Sequence, residues 1–116
     1  MAGRSEHLAQ VAHNERFLGT VDPGLFPDWY GTIIFYTAVH LVEAMFARFD
    51  DHSQSHPERN SSLRLHYPEI WRHFRPLYDF SMTARYQTNA RTMPDAVKFR
   101  ESLARIRAMI ADCEKG

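Results

Sequence analysis

The feature that most constrains this chain is the segment WYGTIIFYTAVHLVEAMFARF, in which no charged residue occurs from Trp29 to Val42. Its apolar residues recur at separations of three and four and cover nearly the whole circumference of a helix. This pattern predicts a helix that is buried among other helices, rather than one that lies on a surface. Its β-branched residues lower the intrinsic helix propensity, so burial must supply most of the stability. We therefore expect an all-α fold around this helix, which begins near Pro27 and Asp28.

Local signals predict two helices before residue 68. The first runs from about Arg4 to Leu18 and stops at Gly19. A short one follows the polar loop DDHSQS, because Ser55 and Glu58 have the spacing of a capping box.

Prolines organise the rest of the chain. Pro68 starts a helix with an apolar stripe, and Pro76 predicts a kink or break within it. The stripe is Trp71, Phe74, Tyr78, Met82 and Tyr86. The last helix starts near Pro94 and Asp95, and its predicted core face is Phe99, Leu103, Ile106, Ile110 and Cys113. We predict a single domain over residues 1–116, an antiparallel up-and-down four-helix bundle with an extra short helix before Pro68.

Charge and cysteine content restrict the expected partners and cellular location of the protein. Fourteen basic and fourteen acidic residues cancel, which gives no overall attraction to nucleic acid or to an anionic membrane. The basic residues are nevertheless concentrated in residues 56–91, which contain six arginines and three acids. A single cysteine cannot form an internal disulfide, which favours a reduced cytoplasmic location. The longest uncharged run is shorter than the roughly 20 residues that cross a bilayer, so we expect a soluble protein without a membrane partner.

Phosphodiester chemistry is suggested by the stretch HPERNSSLRLH, residues 56–66. Seven residues of helix place Arg59 and His66 on one face, about 10 Å apart along the axis. A guanidinium can grip a phosphate, an imidazole can move a proton without a metal, and Asn60 can orient both. Spacing alone favours the alternative interpretation, that Arg59 and His66 are solvated helix residues.

A second polar group lies on the most buried helix, where Tyr36, His40 and Glu43 share one seam. Either the seam is a structural hydrogen-bond network, or His40 faces Arg59 or Arg85 beside a ligand pocket. We take Tyr36, His40, Arg64 and Arg85 as candidate substrate-binding residues.

Two weaker patterns concern metal and RNA. His52 and His56 have a spacing that suits zinc, but the surrounding serine, glutamine and proline favour a loop, so we predict no metal and no cofactor. Arg72, His73 and Arg75 form either a basic aromatic surface for RNA or the solvated side of an ordinary helix.

Over most of its length the chain resembles the HEPN family of small helical bundles. The resemblance is carried by HLAQVAHNERFL, by FYTAVHLVEA at 35–44, by HPERNSSLRLH and by LYDFSMTARY at 77–86. Many members are toxins or defence nucleases with an arginine, a polar residue and a following histidine, which Arg59, Asn60 and His66 match at the longest spacing. Pro68 and the shortness of the motif's helix depart from the family pattern.

This resemblance implies a metal-independent endoribonuclease acting on single-stranded RNA, usually as a homodimer and in some cases with a cognate antitoxin protein. Other members of the family do no chemistry and bind nucleotides or proteins. The alternatives for this chain are therefore such a binding module or a purely structural homodimer.

Overall fold

The computed structural model describes residues 2–49, 51, 53, 55–86 and 96–115. These residues form five helices and no strand, which confirms the predicted all-α class. The helices are α1 (Arg4–Leu18), α2 (Pro27–Arg48), α3 (His56–His66), α4 (Pro68–Tyr86) and α5 (Ala96–Lys115).

The central helix is α2, which packs against α1, α4 and α5. Its largest inward side chains, including Ile34, Phe35 and Met45, are completely buried. By length and composition α2 is also the one helix of the described residues that could cross a membrane, but 78% of its apolar window is buried inside the fold. Burial by its neighbours therefore stabilises a helix whose own propensity is low.

Helix ends follow the local signals in the sequence. The hydroxyl of Ser55 accepts a hydrogen bond from the backbone N–H of Glu58 at 3.2 Å, which confirms the predicted cap of α3. Tyr67 has φ −139° and ψ 60°, outside the helical region, because Pro68 follows it. The predicted first helix and the predicted starts at Pro27 and Pro68 are likewise confirmed.

The α4 helix differs from the prediction in its buried row, and of the kink or break predicted at Pro76 the break is absent. The helix continues through Pro76 as one element. Pro76 is exposed, so water can reach the carbonyl group that its missing N–H leaves unbonded. The buried row of α4 is displaced from the predicted stripe, because α2 and α5 both pack on this helix. The buried residues are Ile70, Phe74, Leu77 and Ser81, with Trp71 and Tyr78 partly buried beside them.

The core is completed by α5, whose Leu103, Ile106 and Ile110 are buried, as predicted from their spacing. The predicted helix start at Pro94 and Asp95 lies outside the described residues. Two ion pairs join α1 to α5: Arg4 with Glu114 at 2.8 Å, and Glu15 with Arg107. These long side chains bridge α1 and α5, whereas the close packing of α1 is against α2.

Candidate functional site

The most buried charges of the described structure are Glu43 on α2 and Arg59 on α3. Arg59 Nε donates a hydrogen bond to Glu43 Oε1 at 3.1 Å, and the two side chains are only 10% and 9% exposed, respectively. Glu43 is one of the three residues of the predicted polar seam of α2, and it contacts Arg59. The pair ties the short α3 helix to the central helix, and each charge offsets the desolvation of the other.

His56 and Ser53 extend this ion pair. Arg59 Nη1 lies 2.8 Å from His56 Nδ1, and because a guanidinium can only donate, His56 Nδ1 accepts and its proton lies on Nε2. The His56 ring also contacts Phe35 and Tyr78, each at a centroid distance of 5.8 Å. Ser53 donates a hydrogen bond to Glu43 Oε1. The start of α3 is therefore held by polar and aromatic contacts together.

Two histidines meet where α1 crosses α2. His7 Nδ1 and His40 Nδ1 are 3.0 Å apart, and their ring centroids are separated by 5.2 Å. One nitrogen must carry a hydrogen and the other must present its lone pair, since two Nδ1–H groups at this distance would repel. Both side chains remain partly exposed. The pair therefore combines a hydrogen bond between two imidazoles with access to solvent.

The environment of His40 favours its neutral form. Burial, followed by the neighbouring His7 and Arg59, lowers the pKa of His40 below the ordinary value of 6.5, and Glu43 only partly opposes this shift. His40 therefore links the histidine pair to the buried ion pair through electrostatics. We call His7, His40, Glu43, His56 and Arg59 the histidine–arginine cluster.

The three residues of the predicted nuclease motif occupy different environments. Arg59 is buried in the histidine–arginine cluster, whereas His66 is exposed and is the last residue of α3. Asn60 is partly buried, and its Oδ1 atom is buried without a hydrogen-bond partner in the described structure. Arg59 therefore lies beside His40 and His56, and His66 lies at the surface.

The predicted substrate-binding residues are also dispersed. Tyr36 packs against the core, with its ring 5.3 Å from that of Phe35. Arg64 is exposed in the last turn of α3, and the side chain of Arg85 lies outside the described residues. Of the three whose side chains the structure describes, His40 belongs to the histidine–arginine cluster.

The described residues provide no group of three or more histidine, cysteine or acidic side chains arranged to hold a metal ion. The zinc hypothesis for His52 and His56 cannot be placed, because His52 lies outside the described part of the chain. On α4 the exposed Arg72 and Arg75 pair with Glu69 at 2.8 Å and with Asp79 at 3.6 Å. Their positions are typical of the solvated side of a helix.

Sequence reasoning missed His7 and Ser53 and considered His56 only as a metal ligand. His7 had a detectable signal, because His7, Val11, Asn14 and Leu18 follow helical spacing and form the inward row of α1. His56 had one as well, because it precedes Arg59 by three residues on α3, whereas Ser53 had none, since its contact with Glu43 joins residues ten positions apart.

Chemically, the histidine–arginine cluster can accept a proton at one imidazole and donate one from another beside a fixed positive charge. It can do so without a metal ion. Comparisons of the chain with family models, curated proteins and solved structures find no match. A function must therefore be inferred from the chemistry of the cluster.

Proposed function

We propose that this protein is a metal-independent endoribonuclease that cleaves single-stranded RNA. The observation that carries the proposal is the His7–His40 pair, with Nδ1 atoms 3.0 Å apart, next to the charge of Arg59. Two imidazoles joined by one hydrogen bond can supply both the general base and the general acid that phosphodiester cleavage requires. The sequence hypothesis assigned the proton transfer to His66, but the charge of Arg59 acts on the partly exposed His40, which is hydrogen-bonded to His7.

In the proposed reaction one imidazole removes the proton from a ribose 2′-hydroxyl, and the 2′ oxygen attacks the adjacent phosphorus. The bond from phosphorus to the 5′ oxygen breaks, and that oxygen takes the Nε2 proton of the second imidazole, whose Nδ1 receives the Nδ1 proton of the first imidazole across the 3.0 Å contact. The products are a 2′,3′-cyclic phosphate and a 5′-hydroxyl end. Single-stranded RNA is the proposed substrate because its backbone can adopt the in-line geometry.

Arg59 acts in this proposal as a positioning residue rather than as a phosphate ligand. Its guanidinium is engaged by Glu43 and His56, and its side chain is only 10% exposed. Its charge, with burial and His7, keeps His40 neutral and ready to accept a proton. Arg64 and His66, both exposed on α3, are available to contact the RNA backbone, whereas Asn60 Oδ1 is buried and does not reach it.

The proposal includes a HEPN-like antiparallel bundle of α1, α2, α4 and α5, with α3 as the extra short helix. The packing of α2 against α1, α4 and α5, and of α4 against α5, supports this arrangement, and two ion pairs of long side chains connect α1 to α5. From the family resemblance we also propose a cytoplasmic homodimer, with an antitoxin protein as a further partner. Sedimentation of the purified protein tests the dimer.

One observation favours a second candidate, a binding module without catalysis. The charge of Arg59 is already matched by Glu43, and both side chains are almost completely buried. An ion pair of this kind is also what a purely structural link between α2 and α3 would require. The two candidates differ in whether RNA is cleaved at all.

The deciding experiment incubates the purified protein with mixed single-stranded RNA in EDTA and identifies the ends of the products. We expect cleavage with cyclic phosphate ends, reduced at least about 100-fold in His7→Ala and in His40→Ala. His13→Ala is the matched control, because His13 is an exposed histidine on the same helix as His7. Retained helical circular dichroism in each variant separates loss of activity from loss of structure.

A second set of variants separates the two histidine assignments. His66→Ala should retain most of the activity, and loss in His66→Ala with retention in His40→Ala would instead support the Arg59–His66 motif. Arg59→Ala alone leaves Glu43 as an unpaired buried charge, at a cost of about 3–5 kcal/mol. Arg59→Met is therefore combined with Glu43→Leu, a pair that should fold but cleave more slowly. Folded wild-type protein that binds RNA or nucleotides without cleaving RNA would establish the binding module.

A further inference from the structure

A second region of the molecule exposes large hydrophobic side chains to solvent. Of the six large hydrophobic side chains that are exposed in the described residues, four fall within residues 17–29. They are Phe17, Leu25, Phe26 and Trp29, which are 43%, 72%, 51% and 60% exposed. They come from the end of α1, the loop and the start of α2, so they are separate in structure from the histidine–arginine cluster. We call residues 17–29 the aromatic patch.

The aromatic patch is concave on both sides of the Phe26–Trp29 pair. One hollow of about 390 Å³ is lined by Phe17, Thr20, Val21, Phe26 and Trp29. The adjoining hollow of about 310 Å³ shares Phe26 and Trp29, and Asp28 contributes to its lining. An apolar hollow thus lies next to an acidic one, with two aromatic rings between them.

The charge of the aromatic patch restricts what can cover it. Residues 17–29 contain Asp22 and Asp28 but no lysine or arginine. Asp22 Oδ1 accepts hydrogen bonds from the backbone N–H groups of Gly24 and Leu25 at 2.8 and 3.3 Å, which fixes one carboxylate beside the acidic hollow. A second copy of this patch would bring like charges together, and an anionic membrane or RNA would be repelled.

We propose that the aromatic patch docks a segment of a partner protein that presents a large apolar side chain next to a lysine or arginine. The apolar side chain fills the hollow between Phe17 and Trp29. The cation lies against Asp28 and over the faces of Phe26 and Trp29, where the ring quadrupole also favours a positive charge. Complementary charge makes the aromatic patch prefer a basic partner to an acidic one. The apolar side chain of the partner, once buried, supplies most of the affinity.

The test uses two synthetic peptides as probes, one alternating leucine with lysine and the other alternating leucine with glutamate. Binding to the full chain is followed by backbone amide shifts in nitrogen-15 NMR spectra. We expect the lysine peptide to shift signals of residues 17–29 and to bind at least tenfold more tightly than the glutamate peptide. Trp29→Ser and Asp28→Asn should weaken binding of the lysine peptide. Leu65→Ser should not weaken it, because Leu65 lies on α3, outside the aromatic patch, although it is as exposed as Leu25.

Three results would overturn the proposal. The first is no shift with the lysine peptide at millimolar concentration, or shifts centred outside the aromatic patch. The second is equal affinity for the two peptides, which would remove the role of the acidic residues. The third is dimer dissociation by Trp29→Ser in sedimentation, which would make a second copy the occupant. None of these results depends on whether RNA is cleaved.

Discussion

The guanidinium of Arg59 is almost completely buried. The carboxylate of Glu43, 3.1 Å away, compensates for the water contacts that burial removes. A buried pair of this kind contributes little net stability, since both charges must be desolvated to form it. Its main effect is positional, because an unpaired partner would be expensive to bury. The pair therefore links α3 to α2, and it contributes to the electrostatic environment of His40 after burial and His7.

His40 should make the stability of the protein depend on pH. Its pKa is lowered in the folded state by burial, His7 and Arg59, whereas in the unfolded chain it has the ordinary value of 6.5. Between these two values the unfolded chain binds more protons, so the free energy of unfolding falls as the pH falls through this window. Below the folded-state pKa of His40 this contribution to the free energy of unfolding is fully lost, and above pH 6.5 it is fully present.

Urea unfolding at several pH values measures this effect. His40→Gln should show a weaker loss of stability between neutral and acidic pH than the wild type. His13→Gln, which changes an exposed histidine on α1, should keep the full pH dependence. Identical pH dependence in wild type and His40→Gln would show that His40 is not the group responsible.

At the scale of elements, the helix boundaries were predictable because their causes are local. Ser55 caps α3 through a backbone N–H three residues away, and Pro68 disfavours helical angles at Tyr67. The inward face of α4 was less predictable. Its sequence allows two neighbouring apolar rows, and the packing of α2 and α5 selects the row of Phe74 and Leu77.

Pro76 offers a test within α4. Proline is about 3 kcal/mol less favourable than alanine in a helix interior, and α4 continues through this exposed position. After allowance for the stiffer unfolded chain, Pro76→Ala should raise the free energy of unfolding by about 2 kcal/mol. Thermal and urea unfolding measure the gain. Pro68→Ala is the control, because Pro68 opens the helix where proline is well tolerated, and an equal gain there would contradict this explanation.

At the scale of the whole molecule, one side chain joins three helices. Phe35 on α2 is completely buried, and its ring contacts Phe74 and Tyr78 on α4 and His56 on α3. The burial of a single aromatic ring therefore helps to hold both the core and the start of α3. Disturbing Phe35 should affect the whole fold rather than one element.

Phe35→Ala should lower the free energy of unfolding by about 3–5 kcal/mol, because it removes buried contacts and leaves a cavity. That loss is a large part of the roughly 5–15 kcal/mol that stabilises a typical domain. Urea unfolding followed by circular dichroism measures it, with Phe35→Leu as a milder change. Phe49→Ala, at a phenylalanine that is 49% exposed, should cost far less, and equal losses would rule out this role of Phe35.

The sequence by itself determined the all-α class, the central buried helix and most helix boundaries, because apolar periodicity, caps and prolines act within a few residues. It also indicated that Tyr36, His40 and Glu43 share a seam. Only the tertiary structure decided that Arg59 turns inward to Glu43 while His66 stays exposed. It alone brought His7 to His40, 33 positions later in the chain. Helical periodicity shows which residues share a face, but the neighbour that covers a face depends on contacts between distant segments.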